Sequence, residues 1–478
     1  MSNWLPDCEL PCSGTQVLEY FKTVFEYIRA MPATPHVRRS LGLLPLIATT
    51  FFMVSGGPYG LEELVQKAGY TRALIVLALL PFLWSLPTAF MVGELSGAIP
   101  EEGGYYIWVR RAMGPFWGFQ EAWLSLLASV FDMAIYPTLF VLYLGQLVPT
   151  LGQGRNAVMV GAAVVAVAAI WNIAGIRAVG KSSVYMMLGL LSPFALITLL
   201  GLWRSHASSA AVHYGSSVDL PAAISVGMWN YMGWDNASTV AGEVEDPQRT
   251  YPRAMLGAAA LVALCYLIPV AAAMVAGIDP SAWTTGSWVE AARTLGGRWL
   301  GLAVVVGGMI CGFGMTNALV LSYTRVPFAM AEHGFLPAGF LKLHPRTSAP
   351  WVSIVVCAIA WTLCLPLGFE RLVLIDIILY GLSLMLEFVA LVVLRVREPD
   401  LPRKFRAPGG LIGAAALGVG PAVLLALTYV RGESERAGPV TALGLGAILA
   451  ALGVVTYFVS RAQGARRKVQ GEEESPEA

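Results

Sequence analysis

Twelve stretches of about 20 residues or more in this chain are nearly free of charge, and that repeated length limits its fold more than any other feature. A bilayer core is about 30 Å thick, and an α-helix crosses it in about 20 residues. The runs lie at approximately 41–66, 73–97, 115–149, 156–174, 182–203, 221–242, 254–277, 299–323, 350–367, 371–394, 411–430 and 439–460. Glycines and prolines inside them would break helices in water, but membrane spans tolerate them where neighbouring helices satisfy the freed backbone groups. A β-barrel would instead show alternating segments of about ten residues. The expected fold class is an all-α membrane protein with 12 transmembrane helices. Only 13% of the residues are charged, against about 25% in soluble domains. The formal net charge of +1 offers no basic field for a nucleic acid.

Lys and Arg set the orientation, because positive loops stay cytoplasmic. With the N-terminus inside, 22 of the 31 Lys and Arg fall in inner segments and 9 in outer ones. Both termini are then cytoplasmic, in the plasma (cell inner) membrane. Residues 1–40 hold acids, prolines and no pure apolar core, so no cleavable signal peptide is expected. In this N-terminal tail, Val17, Phe21, Val24 and Ile28 share a helical face opposite Glu19, Lys22, Glu26 and Arg29. That amphipathic helix suits the inner membrane surface, or equally a face packed on the protein. Cys8 and Cys12 lack further ligands for a metal, and the other four cysteines lie in or beside spans as small hydrophobes. No metal and no cofactor are expected. Residues 461–478, with Arg466 to Lys468 followed by Glu472 to Glu474, read as a disordered cytoplasmic tail.

Two runs are interrupted. The first contains Ser55-Gly56-Gly57-Pro58-Tyr59-Gly60, which cannot hold a continuous helix. The sixth contains Trp229-Asn230-Tyr231-Met232-Gly233-Trp234-Asp235-Asn236, where polar residues and a carboxylate replace the apolar run. Taken as two repeats, 41–203 (spans one to five) and 204–394 (spans six to ten), each repeat begins with its broken helix. That is the pointer to a midplane site in an inverted-repeat transporter. The plainer alternative is a pair of bends. Helix ends expose unpaired N–H and C=O groups. Amides of Ser55, Gly56 and Gly57 suit a substrate carboxylate, and carbonyls around Val54 and Asn230 suit an ammonium group or ion.

Carboxylates inside spans point to function by default. Glu62 follows the first break, Asp132 sits mid-third span, Asp235 lies in the second break, and Asp376 and Glu387 lie in the tenth span. No Lys or Arg lies deep in a span to neutralise them. Acid without base indicates a cationic ligand or carboxylates that carry protons. Glu121 and Asp132 are eleven residues apart, as are Asp376 and Glu387, about three turns on one helix face. Glu63 and Glu121 are expected at an aqueous boundary. Trp229, Tyr231, Trp234 and Tyr136 offer ring faces to an ammonium group, or serve as packing aromatics. All five histidines lie in tails or loops, which leaves no intramembrane base for acyl transfer or zinc hydrolysis. An enzyme is not expected, and neither is a channel, for want of a selectivity ring.

At these breaks and the inner loops the sequence resembles the amino acid-polyamine-organocation superfamily, within it the polyamine uptake and L-type amino acid transporters. The likeness rests on Ser55 to Gly60 with Glu62, Phe90 to Glu94, Pro100 to Tyr105, and Gly114 to Gln120 with Asp132 and Tyr136-Pro137. It continues through Gly233-Trp234-Asp235, Thr239 to Pro247, Pro252-Arg253-Ala254, Arg325 to Pro337 and Arg395 to Pro408. The resemblance implies two inverted five-helix repeats plus two C-terminal helices (395–460 with their inner loop), alternating access, and a substrate near Ser55, Gly56, Gly57, Trp234 and Asp235. Two features depart from many members. Pro58 alters the amide surface, as in the polyamine branch, and Leu188 to Pro193 stands where several members carry a mid-span Lys.

The expected function is import of small organic cations, polyamines first, by a secondary active transporter. The alternative is a proton- or sodium-coupled amino acid permease. The partners are a small-molecule substrate, the lipid bilayer and a coupling ion, with the carboxylates favouring a proton.

Overall fold

The computed structural model describes residues 39–204, 218–366, 369–432, 436–437 and 440–473, with side chains omitted for 369–374, 431–437 and 462–473. The amphipathic helix expected before residue 39 lies outside the described residues. The described elements are helices joined by loops, apart from two-residue strands at Arg436–Ala437 and Val440–Thr441.

Helix α1 (Leu43–Val54) stops where the glycines and Pro58 of the first break cannot continue its hydrogen-bond ladder. Helix α2 (Glu62–Leu80) then completes the first apolar run, turns at Gly69 and enters the second run without a loop. A single wide turn at Pro81–Ser85 leads into α3 (Leu86–Ala98). Next come α4 (Tyr105–Met113), α5 (Pro115–Leu147), α6 (Gly154–Ile173) and α7 (Ile176–Arg204). Helix α8 (Leu220–Asn230) opens the sixth run but does not resume as an α-helix after its break. Short 3₁₀ turns at Asp235–Thr239 and Ala241–Glu243 follow instead. Gly233, at φ +94°, turns the chain there. Asn236, Ser238 and Thr239 then compete for backbone partners: Thr239 Oγ1 donates to the Asn236 carbonyl at 2.9 Å.

The second half comprises α9 (Pro247–Val275), α10 (Trp288–Tyr323, kinked at Gly297), α11 (Arg325–Glu332), α12 (Trp351–Cys364) and α13 (Phe369–Arg397). The eleventh run is divided into α14 (Gly410–Leu417) and α15 (Val419–Gly432), and α16 (Ala442–Glu473) ends the described chain. The backbone is therefore helical to Glu473, where a disordered tail from residue 461 is expected. Its Ala, Gln, Arg, Lys and Glu are strong helix formers. Among the described residues, nine helical segments are long and apolar enough to cross a membrane, and α1 and α12 are shorter apolar helices.

Polarity is reversed relative to a soluble protein. Large apolar side chains such as Phe82, Ile170, Leu363 and Ile412 are exposed, while Glu62, Asp132, Asp235, Asp376 and Glu387 are buried. Inside, α10 packs on α5 and α7, α9 on α3 and α1, and α13 on α5 and α4.

The turns after the second break are tied to the chain near α4 and near residue 40. The Gly103 amide donates to the Thr239 carbonyl at 3.0 Å, and the Tyr105 amide donates to Ser238 Oγ at 3.1 Å. Gly104, at φ +38°, lies so close that a Cβ would fall 2.1 Å from Ser238 Oγ. The Ser40 and Leu41 amides both donate to the Glu243 carbonyl. Beneath them, the buried Arg325 guanidinium holds Glu243 Oε1 through Nη2 at 2.8 Å and Nε at 3.1 Å. Glu102 lies half-buried beside this pair. Burial pushes its carboxyl well above the usual carboxylate range, Glu243 adds to the rise and Arg325 opposes it.

Removing one member of a buried ion pair strands the other charge and costs about 3–5 kcal/mol. Arg325→Met is therefore expected to lower the melting temperature in detergent strongly, whereas Arg293→Met, which cuts an exposed pair with Glu290, changes it little. Glu102 contributes stability at low pH that is lost as pH rises through its raised folded value. Glu102→Gln is accordingly expected to melt with a smaller drop than the unmodified protein between about pH 5 and about pH 9.

Candidate functional site

Both breaks open backbone groups in the apolar interior, and side chains from distant helices meet them. At the first break, Glu62 accepts the Gly60 amide on Oε2 at 2.8 Å and the Gly286 amide on Oε1 at 3.0 Å. Trp288 Nε1 donates to the Pro58 carbonyl at 2.8 Å, and the Tyr59 hydroxyl donates to the Val304 carbonyl at 2.7 Å. At the second, the Tyr266 hydroxyl donates to the Asn230 carbonyl at 2.6 Å, and the Gly233 amide donates to the Tyr380 hydroxyl at 3.0 Å. Tyr380 in turn donates to Asp235 Oδ1. Asn230 Nδ2 reaches across to the Gly60 carbonyl at 3.3 Å and so joins the breaks directly.

Two cavities lie between the breaks. The first, with room for about one water, lies between Met53, Val54, Asp132, Tyr136, Trp229, Met232, Gly233, Asn236, Tyr323, Asp376 and Tyr380. The second, also narrow, lies between Val54, Gly56, Tyr59, Gly60, Tyr136, Leu139, Trp229, Asn230, Thr285 and Met315. They share Val54, Tyr136 and Trp229. The Tyr136 and Trp229 rings stack with centroids 6.3 Å apart and planes 14° from parallel, which forms an aromatic partition.

In the first cavity, Asp132 receives the Tyr136 hydroxyl on Oδ1 and the Tyr323 hydroxyl on Oδ2, the latter at 3.1 Å. Asp376 lines the same space, and its carboxylate meets no hydrogen-bond donor among the described residues. No Lys or Arg lines either cavity. The chemistry on offer is two carboxylates, aromatic faces and helix-end backbone, arranged to hold a cation. No group of His, Cys, Asp and Glu suited to a metal occurs among the described residues.

Of the ten residues expected at the site, Gly56, Asp132, Trp229 and Asn230 line the cavities. Ser55, Gly57, Glu62 and Asp235 stand behind them. The Ser55 amide continues the α1 ladder to Phe51, and the Gly57 amide donates to Ser55 Oγ at 2.9 Å. Two of the three amides expected to receive a carboxylate are thus engaged, as is the Asn230 carbonyl. Both Glu62 oxygens hold backbone amides, which makes it a positioning residue. Tyr231 and Trp234 line neither cavity: the Tyr231 hydroxyl donates to the Leu77 carbonyl at 3.0 Å, and Trp234 is fully buried elsewhere. Helical periodicity ends at Asn230, so closeness in sequence to Asp235 does not place these rings on the cavity side. Glu121, expected at a boundary with water, is also fully buried.

The sequence reading missed Tyr323 and Tyr380 as site residues. Tyr380 lies one turn beyond Asp376 on the same face of α13, a spacing that could have revealed it. Tyr323 closes the polar end of α10 and gave no such signal.

Comparison with known proteins agrees with this architecture. The model of the amino acid permease family matches residues 47–463. Polyamine transporter PUT1 of Oryza sativa subsp. japonica is 35% identical over 422 residues, covering 88% of this chain and 78% of the relative. Polyamine transporter RMV1 of Arabidopsis thaliana is 34% identical over 402 residues, 82% of each chain. The serine/threonine exchanger SteT of Bacillus subtilis is 28% identical over 389 residues, covering 78% of this chain and 87% of the relative. The chain therefore belongs to the amino acid permease family, within the amino acid-polyamine-organocation superfamily, and is a membrane transporter and not an enzyme.

Proposed function

We propose that this transporter imports small organic cations, polyamines first, by proton-coupled alternating access around the two broken helices. The observation that carries this reading is the cavity where Asp132 and Asp376 stand together without a basic side chain. A diamine needs negative groups for its ends and an apolar lining for its methylenes. The carboxylates supply the first, and the Tyr136–Trp229 partition with Met53 and Met232 supplies the second. The polyamine transporters among its relatives support the same choice of substrate.

The proposal places twelve spans in two inverted repeats, 41–203 and 204–394, with two further helices over 395–460. Both termini face the cytoplasm, and the membrane is the plasma membrane. The α1–α2 and α8 breaks move relative to α5 and α10 to expose the site alternately to each side. Ser55, Gly57, Glu62 and Asp235 hold the breaks in shape; Gly56, Asp132, Trp229, Asn230 and Asp376 meet the cargo. One observation favours amino acid transport as the second reading. Gly56 brings backbone into the second cavity, where a carboxylate could be held, and the Bacillus relative is an exchanger of serine and threonine.

Purified protein in proteoliposomes is expected to take up radiolabelled putrescine or spermidine saturably, with no competition from leucine or serine. Saturable leucine uptake that polyamines do not inhibit would sink the polyamine reading. A hydrogen bond to a charged group contributes about 1.5–3 kcal/mol. Asp132→Asn is therefore expected to weaken putrescine binding ~10- to 100-fold in a scintillation proximity assay. Unchanged affinity would remove Asp132 from the site.

A further inference from the structure

Helices α5 and α13 carry matching polar stripes. On α5 these are Glu121, Ser125, Ser129 and Asp132; on α13 they are Asp376, Tyr380, Ser383 and Glu387. Spacings of three or four residues keep each set on one helix face. The stripes meet. Asp132 and Asp376 line one cavity, Ser125 Oγ lies 3.1 Å from Ser383 Oγ, and Ser125 Oγ also donates to Glu121 Oε1 at 3.1 Å. The seam runs eleven residues from cavity to far end, ~16 Å at 1.5 Å per residue, about half the bilayer core.

The far end leaves most of its carboxylate oxygens unpartnered. Both oxygens of Glu387 and Oε2 of Glu121 are buried without a hydrogen-bond partner among the described residues. Among the described residues, no ion pair involves Glu121, Asp132, Asp235, Asp376 or Glu387. Unpaired carboxylates at that depth are costly, and proton carriage is what such chains serve.

We propose that the seam between α5 and α13 is a proton relay that joins the Asp132–Asp376 cavity to Glu387 and Glu121 and carries the coupling proton. The inference rests on the proton-coupled reading above. A proton entering at the cavity protonates a carboxylate there. The Tyr380 hydroxyl accepts that proton and donates its own to Asp235 Oδ1, which it already bonds and which lies beside Glu387; Ser383 and Ser125, in contact with each other, each accept one proton and donate their own onward. Glu387 or Glu121 takes up the last and releases it to the cytoplasmic side, so one proton crosses and only O–H bonds form and break.

The titratable groups facing Glu387 are Glu121 of α5, Asp235 of the second break, Tyr105 of α4 and Tyr380 of its own helix. Those facing Asp376 are Asp132, Tyr136, Tyr323 and Asp235. The other helices packed on α13 bring groups already engaged. Glu94 of α3 holds Arg395 and Arg403, the Tyr429 hydroxyl of α15 donates to the Ile378 carbonyl at 3.1 Å, and Tyr457 of α16 packs on Phe119. Helix α14 has no titratable side chain.

The test uses the full chain in proteoliposomes, with labelled putrescine and an internal pH dye. Accumulation driven by an acid-outside gradient is compared with counterflow exchange at equal pH, which needs no net proton movement. Glu387→Gln and Ser383→Ala are each expected to lower gradient-driven accumulation at least tenfold, abolish the proton influx, and leave counterflow within about twofold of the unmodified protein. Wild-type accumulation in both variants overturns the relay. Parallel loss of accumulation and counterflow in both also overturns it, since that marks a structural role. An unmodified protein whose uptake ignores the pH gradient refutes the proton-coupled reading itself.

Discussion

A break in a membrane helix leaves backbone N–H and C=O groups that lipid cannot satisfy, so every such group has to find its partner inside the protein. The interior of this transporter is organised around that requirement. Glu62 takes two amides, Trp288 and Tyr266 cover two carbonyls, and Tyr380 receives a third amide. These partners come from α2, α9, α10 and α13. The two breaks thereby fix the packing of helices far from them in sequence, and the cavity between them inherits its shape from those contacts.

A second consequence concerns charge. Four bases are spent on acids away from the breaks: Arg325 on Glu243, Arg395 and Arg403 on Glu94, Arg111 on Glu398. Among the described residues, no Lys or Arg lines the cavities between the breaks. The centre is left negative, and the net charge of +1 conceals the separation.

The helical class, both breaks and the central acids were legible in the sequence, because each has a local cause. Runs of apolar residues match the bilayer, Gly and Pro interrupt backbone ladders, and a carboxylate in an apolar run needs no neighbour to be noticed. The partners were not legible. Whether Glu62 faces a cargo or a pair of amides depends on Gly286, more than 200 residues away. The burial of Glu121 depends on α13 lying against it, and the failure of the sixth run to resume its helix depends on small hydroxyl side chains finding Ser322 and Tyr105. Tyr231 is expected at the site from proximity in sequence alone, which loses its meaning once a helix ends; Trp234, which the resemblance also points to, lies outside both cavities.

The contact of Gly104 with Ser238 bears on motion. Hydrogen bonds from Gly103 and Tyr105 tie the start of α4 to the turns that follow Asp235, and those from Ser40 and Leu41 tie in the entry to α1. Separating these segments would forfeit about 0.5–1.5 kcal/mol for each bond, and no spare space at Gly104 lets one slide over the other. The second break is therefore locked to the buried start of α4: a displacement at Asp235 has either to carry that segment with it or to break these bonds.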